Sequence, residues 1–186
     1  MKITKTKILF FFLATFVLTN SAVAQKVAGY SFDKYPSTIY KGPKAKVNLK
    51  SGETARGYRT TIKEQYSTSK IDFAGHYSLI FWGAGTNLSV GAMVDNISGN
   101  VYDLPLTEEN ASNYNCNYIE TNDEGNIHYN KASKLFTTSS CERKDNESTK
   151  TFDIIRTTSI FLWDDNKKKF ILLNKKTDKK LDINME

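Results

Sequence analysis

The spacing of apolar positions between residues 51 and 66 indicates a helix. Four apolar residues recur there at intervals of three, four and four: Ala55, Tyr58, Ile62 and Tyr66. This spacing places them on one face of an α-helix. Ser51 can cap free N–H groups at the start, and Glu53 suits the positive end of the helix dipole. We therefore predict one amphipathic helix in the N-terminal part of the chain.

Farther along the chain, the hydrophobic runs are short and turn residues separate them, which is typical of strands. Residues 77–82 are apolar at nearly every position, so we predict a strand that is covered on both faces. Pairs of short runs around turns predict three hairpins: 92–94 with 101–104, 127–129 with 135–138, and 159–163 with 170–173. Two charged segments predict a connection and a flexible tail: 141–151 and 175–186.

Together these elements predict an α+β fold that is predominantly antiparallel β. Three successive hairpins favour a meander that forms a small sandwich or an open barrel, preceded by the single helix. No linker interrupts residues 25–174, so we predict one globular β-rich domain over that range.

The N-terminal segment has the pattern of an export signal. Three lysines precede the apolar run 8–18, and the small residues Ala22 and Ala24 follow it. Signal peptides combine these three features, and the run is shorter than the roughly 20 residues that span a bilayer. We predict a signal peptide over residues 1–24, cleavage near Ala24, and a periplasmic or secreted protein.

The export signal changes the meaning of the net charge. The chain has 186 residues, is 39% hydrophobic, and carries 26 Lys and Arg against 20 Asp and Glu. This composition excludes a disordered chain. Removing the three lysines of the signal lowers the net charge from +6 to +3. We therefore predict no nucleic-acid partner, and at most weak contact between the C-terminal lysines and anionic envelope surfaces.

The chain has two cysteines, Cys116 and Cys141. Cysteines in an oxidising compartment are usually paired. A catalytic thiol needs a nearby base and a lowered pKa, and no motif of that kind accompanies either residue. We predict a structural Cys116–Cys141 disulfide.

His76 is the strongest candidate in the sequence for a catalytic side chain. It follows Gly75 at the start of the predicted strand, and Asp72 or Asp95 could orient it as a general base. The Gly-x-Ser-x-Gly motif of a serine nucleophile is absent. We therefore favour the alternative that the imidazole satisfies buried backbone groups. Neither histidine belongs to a metal-ligand motif, so we predict no metal and no cofactor.

Several segments resemble a family of small exported bacterial proteins of uncharacterised function. They are Phe-Ala-Gly-His-Tyr at 73–77, Trp-Gly-Ala-Gly-Thr at 82–86, the hairpin 94–102, and the late runs 161–163 and 170–173. In that family, Asn-Phe-Ala-Gly-His-Tyr and Trp-Gly-Cys-Gly-Thr motifs follow a helix in the same order. The resemblance implies export but no activity.

Within these motifs we take His76, Trp82 and Thr86 as candidate binding residues. The family has cysteines beside its glycines, and Ala84 and Leu88 stand near those positions here. The absence of cysteine at these two positions argues against thiol chemistry at this turn.

The sequence favours a non-enzymatic exported protein that binds another periplasmic or secreted protein, as an inhibitor or an immunity protein does. One alternative is a small hydrolase centred on His76, with Asp72 or Asp95 as its carboxylate. Another is a structural or stress-related protein associated with the envelope. The sequence predicts no particular oligomeric state.

Overall fold

A computed structural model describes residues 26–85, 88–112, 116 and 126–184. The predicted export signal lies outside the described residues, and so does the candidate binding residue Thr86. In the described part of the chain, no helix has the length and apolar character to cross a membrane.

The described residues are rich in antiparallel β-structure and contain few helices, as an α+β fold requires. The strands are β1 (Lys26–Val27), β2 (Tyr30–Ser31), β3 (Tyr77–Gly83), β4 (Ser89–Asp95), β5 (Val101–Asp103), β6 (Ile127–Tyr129), β7 (Leu135–Asn146), β8 (Thr151–Asp164) and β9 (Lys169–Asn184). The helices are α1 (Glu53–Gly57), α2 (Arg59–Thr68) and α3 (Glu108–Ala111), and a 3-10 turn covers Phe32–Lys34.

The segment predicted as one helix is divided into α1 and α2 at Tyr58. Gly57 ends α1, and glycine disfavours a helix because its backbone has more freedom to lose. The predicted cap is also wrong. Gly52 occupies the N-cap position, while the Ser51 hydroxyl donates to the carbonyl of Asn48 and accepts from the N–H of Val101.

The strands of the described residues form three antiparallel sheets. Their strand orders are β1-β2, β3-β4-β5 and β6-β7-β8-β9. The three predicted hairpins are confirmed as the pairs β4–β5, β6–β7 and β8–β9. They do not form one continuous meander, because β5 and β6 belong to different sheets.

The last three strands are longer than the sequence predicts. The supposed connection 141–151 consists of the end of β7, a turn over 147–150 and the first residue of β8. The supposed flexible tail belongs to β9 as far as Asn184, which pairs with Thr151 of β8. Backbone pairing with the apolar central strand β8 holds these charged segments in the sheet, since strand formation depends on context more than on propensity.

The core lies on both faces of β3. On one face, Tyr77 and Leu79 belong to a cluster with Phe136, Phe161 and Trp163 of the four-stranded sheet. On the other face, Ile80 belongs to a cluster with Ala55, Ile62 and Tyr66 of α1 and α2. Helices, the three-stranded sheet and the four-stranded sheet thus form successive layers, and β3 is covered on both faces as predicted.

The disulfide between Cys116 and Cys141 is present, as predicted. It attaches residue 116 to β7 and closes a loop with a sequence separation of 25. Closing a loop of that length stabilises a fold by about 3 kcal/mol in the chain-entropy model. The bridge is compatible with an oxidising, exported location.

Candidate functional site

A left-handed turn places His76 at the start of β3. Ala74 and Gly75 have φ values of 44° and 80°. A Cβ atom on Gly75 would lie 2.2 Å from the carbonyl oxygen of Thr38, so only glycine fits there. The backbone of Gly75 also donates to the carbonyl of Lys131, which fixes the turn against the loop before β7.

The imidazole of His76 lies between two carboxylates. Its Nε2 atom is 3.8 Å from Oδ1 of Asp95 and 3.8 Å from Oδ1 of Asp165. The side chain is 16% exposed. Burial lowers the pKa of His76 and outweighs the two carboxylates, which favour the charged ring. The imidazole is therefore neutral at pH 7.

Asp165, which no motif in the sequence indicates, is bonded to three neighbouring side chains in this region. Its Oδ1 atom accepts hydrogen bonds from the Tyr77 hydroxyl at 3.0 Å and from the Trp163 indole N–H at 2.8 Å. Its Oδ2 atom lies 2.7 Å from Nζ of Lys134. Burial opposes ionisation, but the bonds from Lys134, Trp163 and Tyr77 together lower the pKa of Asp165. The carboxylate is therefore ionised.

Lys168 completes the arrangement from the β8–β9 turn. Its Nζ atom donates to the Tyr77 hydroxyl at 3.1 Å and lies 5.8 Å from the ring centroid of Tyr102. Burial, followed by the charge of Asp165, raises the pKa of Tyr77 well above its ordinary value. The phenol therefore acts only as a neutral hydrogen-bonding group.

We call these residues the His76 cluster: His76, Tyr77, Asp95, Lys134, Asp165 and Lys168. They come from the turn before β3 and its first residue, from the end of β4, from the loop before β7 and from the β8–β9 turn. Because both large sheets contribute charged groups, the cluster ties the sheets together at one end of the fold.

Of the two candidate carboxylates, the structure brings Asp95 to His76 and leaves Asp72 elsewhere. Asp95 accepts from the N–H of Ile97 and from the hydroxyl of Ser98, which closes the β4–β5 turn. Asp72 accepts from the N–H of Leu79, and burial raises its pKa to about 6. Asp72 therefore has its own environment and does not orient the imidazole.

The candidate binding residue Trp82 packs on the helix side of β3. Its ring centroid is 4.5 Å from that of Tyr58, and it joins the core cluster beneath α1 and α2. Its buried indole N–H has no hydrogen-bond partner among the described residues. The structure records no contact between Trp82 and His76, so these residues do not form one site.

The His76 imidazole is not paired with an activated nucleophile among the described residues. Within the described ranges, no hydroxyl or thiol forms a hydrogen bond with the imidazole, and the Ser98 hydroxyl points to Asp95 instead. Nor do these ranges contain three His, Cys, Asp or Glu side chains grouped to hold a metal. In the cluster, the Lys134 ammonium is paired with Asp165 and the Lys168 ammonium donates to the Tyr77 hydroxyl, which is the arrangement of a structural junction.

Comparison of the chain with protein-family models, with curated proteins and with solved structures finds no match. The resemblance to small exported bacterial proteins therefore stays a prediction.

Proposed function

We propose that this is an exported, non-enzymatic protein that binds another exported protein along the outer edge of β9. The observation that carries the proposal is the length and openness of that edge. β9 has 16 residues and ends the strand order β6-β7-β8-β9. In the part of the chain that the structure describes, no strand pairs with its outer side. Edge strands of this kind are templates for a partner strand.

Two irregularities define the segment suited to pairing. The register between β8 and β9 shifts near Leu173 and again between Lys180 and Ile183. Between these bulges, Asn174–Lys180 pairs with β8 without interruption, and every residue of it is exposed. We call Asn174–Lys180 the docking segment. Its seven residues are enough for a partner strand of ordinary length.

The charge of the docking segment indicates what the partner strand carries. Four lysines and one aspartate lie in it. Side chains of a strand alternate between its faces, so Lys175 and Lys179 share one face, and Lys176 and Lys180 share the other. Opposite charges across a strand pair stabilise it and like charges destabilise it. An acidic partner strand therefore fits, whereas a second copy of this chain is repelled.

The same features separate this proposal from the other two interpretations. The hydrolase interpretation rests on His76, but both neighbouring carboxylates already accept hydrogen bonds from other groups. Asp165 is paired with Lys134, and Asp95 accepts from Ile97 and Ser98. The envelope-surface interpretation rests on lysine charge alone and makes no use of an open backbone edge. Binding that blocks the acidic partner would make the protein an inhibitor of the immunity type.

A pair of proline variants tests the docking segment. Consecutive residues of an edge strand direct their N–H groups alternately inward and outward. Of Thr177→Pro and Asp178→Pro, one therefore removes an outward N–H and keeps the bonds to β8. Melting temperatures identify it, since the inward proline lowers stability and the outward one does not.

The binding readout is photo-cross-linking in the exported fraction of the producing cells, with benzoylphenylalanine at position 176. Position 41, an exposed lysine on another surface, serves as the matched control. We expect one discrete protein adduct from position 176, none from position 41, and loss of the adduct in the outward-proline variant. An adduct that survives that variant, adducts to lipid or polysaccharide alone, or no adduct at position 176 would contradict the proposal.

A further inference from the structure

A groove beside α2 combines an apolar floor with cationic rims. It lies between the extended segment 44–49 and α2 and has a volume of about 590 Å³. Small-molecule sites have volumes of roughly 300–1,000 Å³. The groove, which we call the α2 groove, contains no residue of the His76 cluster or of β9.

One end of the α2 groove is held closed by hydrogen bonds. The ammonium group of Lys44 donates to the carbonyls of Tyr66 and Ser69 at the C-terminal end of α2. The hydroxyl of Tyr66 donates to the carbonyl of Ala45 at 3.0 Å. Cations near the C-terminus of a helix are stabilised by its dipole. Lys44 therefore has a structural role, and its ammonium group is already hydrogen-bonded within the protein.

The floor of the α2 groove is part of the hydrophobic core. Val47 and Leu49 are half-buried and pack against the cluster that contains Tyr66 and Ile62. A floor supported in this way is formed before a ligand arrives. Removing apolar surface from water stabilises the bound state by about 25 cal/mol per Å². The floor therefore favours a ligand with an apolar body over a bare ion.

The rims carry three exposed cations with no acidic partner. Lys46 comes from the extended segment, while Arg59 and Lys63 lie four residues apart on one side of α2. None of the three forms an ion pair with a carboxylate in the described part of the chain. Glu64 is the one acidic residue of the described lining. The rims are therefore suited to an anion.

We propose that the α2 groove binds a single-chain anionic amphiphile of the fatty-acid type. Its carboxylate lies between Lys46, Arg59 and Lys63, and its alkyl chain covers Val47 and Leu49. An inorganic anion would leave the apolar floor in water, and a neutral lipid would leave the three cations unpaired. Both parts of the ligand are needed to match both parts of the groove.

Calorimetric titration of the mature protein tests the match. Decanoate below its micelle concentration is the probe, with acetate and decanol as the two half-ligands. We expect saturable binding of decanoate, none of acetate, and at least tenfold weaker binding of decanol. Hexanoate and octanoate should bind progressively more weakly, by about three- to fourfold per methylene removed. Decanol binding equal to decanoate binding, or no saturable binding of decanoate, would overturn the proposal.

A pair of double variants locates the site. Arg59→Gln with Lys63→Gln removes two rim cations, and we expect at least a tenfold loss of decanoate affinity. Lys41→Gln with Lys70→Gln removes the same charge from exposed positions outside the groove and should leave the affinity within twofold. All four side chains are exposed, so both variants should fold. Equal losses in the two variants would mean nonspecific attraction by net charge and would reject the site.

Amide NMR shifts provide a second readout of the location. Decanoate should shift amides within 44–49 and 59–67 and leave those of β9 unchanged. Shifts confined to β9 would contradict the assignment. Because the α2 groove and the docking segment share no residue, decanoate binding and cross-linking from position 176 succeed or fail independently.

Discussion

Two charged regions of this molecule differ in what satisfies their charges. In the His76 cluster, Asp165 is bonded to Tyr77, Trp163 and Lys134, and these bonds connect both large sheets. In the docking segment, Lys175, Lys176 and Lys179 are exposed on β9, whose outer edge pairs with no other strand in the part of the chain that the structure describes. The region with the more suggestive chemistry is thus the one whose polar groups are already engaged in internal hydrogen bonds and ion pairs. The plainer lysine-rich region has capacity left for a partner.

The largest effect on stability should come from removing the hub of the His76 cluster. Asp165→Ala leaves Lys134, Tyr77 and Trp163 without their shared acceptor. Removing one partner of a buried network typically costs several kcal/mol, and because Asp165 is partly exposed we expect about 3 kcal/mol. Urea denaturation measures this loss.

The matched control is Asp178→Ala in the docking segment. Asp178 is exposed, and its replacement should change the free energy of unfolding by no more than about 0.5 kcal/mol. Comparable losses from the two substitutions would remove the distinction between a bonded and an open region.

The next largest effect should come from Gly75→Ala in the turn before His76. An added Cβ meets the Thr38 carbonyl at 2.2 Å on a backbone with a φ of 80°. We expect a loss of about 2 kcal/mol in unfolding free energy. Gly57→Ala is the control, because nothing lies within 4 Å of its added Cβ and it ends a helix. A loss at Gly57 as large as that at Gly75 would contradict this explanation of the turn.

A smaller, pH-dependent effect should come from Asp72→Asn. Burial raises the pKa of Asp72 from 3.8 to about 6 in the folded protein. The ionised carboxylate therefore destabilises the fold above about pH 6, and this penalty disappears below about pH 4. Asparagine keeps an oxygen for the N–H of Leu79 and carries no charge. The variant should gain about 1–2 kcal/mol at pH 7, allowing for partial exposure, and nothing at pH 3.5.

Unfolding free energies at the two pH values provide the check for Asp72. A gain of equal size at both would mean that burial of the charge is not its cause. A lower free energy of unfolding for Asp72→Asn than for the unsubstituted protein at pH 7 would contradict the raised pKa of Asp72.

The smallest effect on stability should come from the lysines of the docking segment. Lys176→Gln with Lys179→Gln should shift the free energy of unfolding by less than about 0.5 kcal/mol, because both side chains are exposed. The same double variant should reduce the cross-linking yield from position 175 at least threefold. A yield equal to that of the unsubstituted protein would show that charge does not select the partner.

Local patterns predicted the hairpins, because a turn and its two flanking runs are close in the sequence. They failed for the ends of β7, β8 and β9, since Asp145, Lys176 and Asn184 enter a sheet only through pairing with β8. Charged residues in these positions have no strand pattern of their own. Their strand structure depends on pairing with residues that are distant in the sequence.

Contacts between residues distant in the sequence also explain why no local pattern indicates Asp165 at the candidate site. Tyr77 and Asp165 are 88 residues apart in sequence and bond only when the two large sheets pack. Nothing in the turn after β8 distinguishes Asp165 from an ordinary turn aspartate. Asp95 is only 19 residues from His76, in the turn that the sequence predicts after 92–94, and in the structure it is the direct register partner of Tyr77.

The most direct test of the account is cross-linking from position 176 in the unsubstituted protein and in His76→Gln. If the His76 cluster is a structural junction and the docking segment binds the partner, both proteins give the same adduct in similar yield. Circular dichroism confirms that the variant is folded. Loss of the adduct from a folded His76→Gln protein would contradict the account, because it would place the partner at the imidazole.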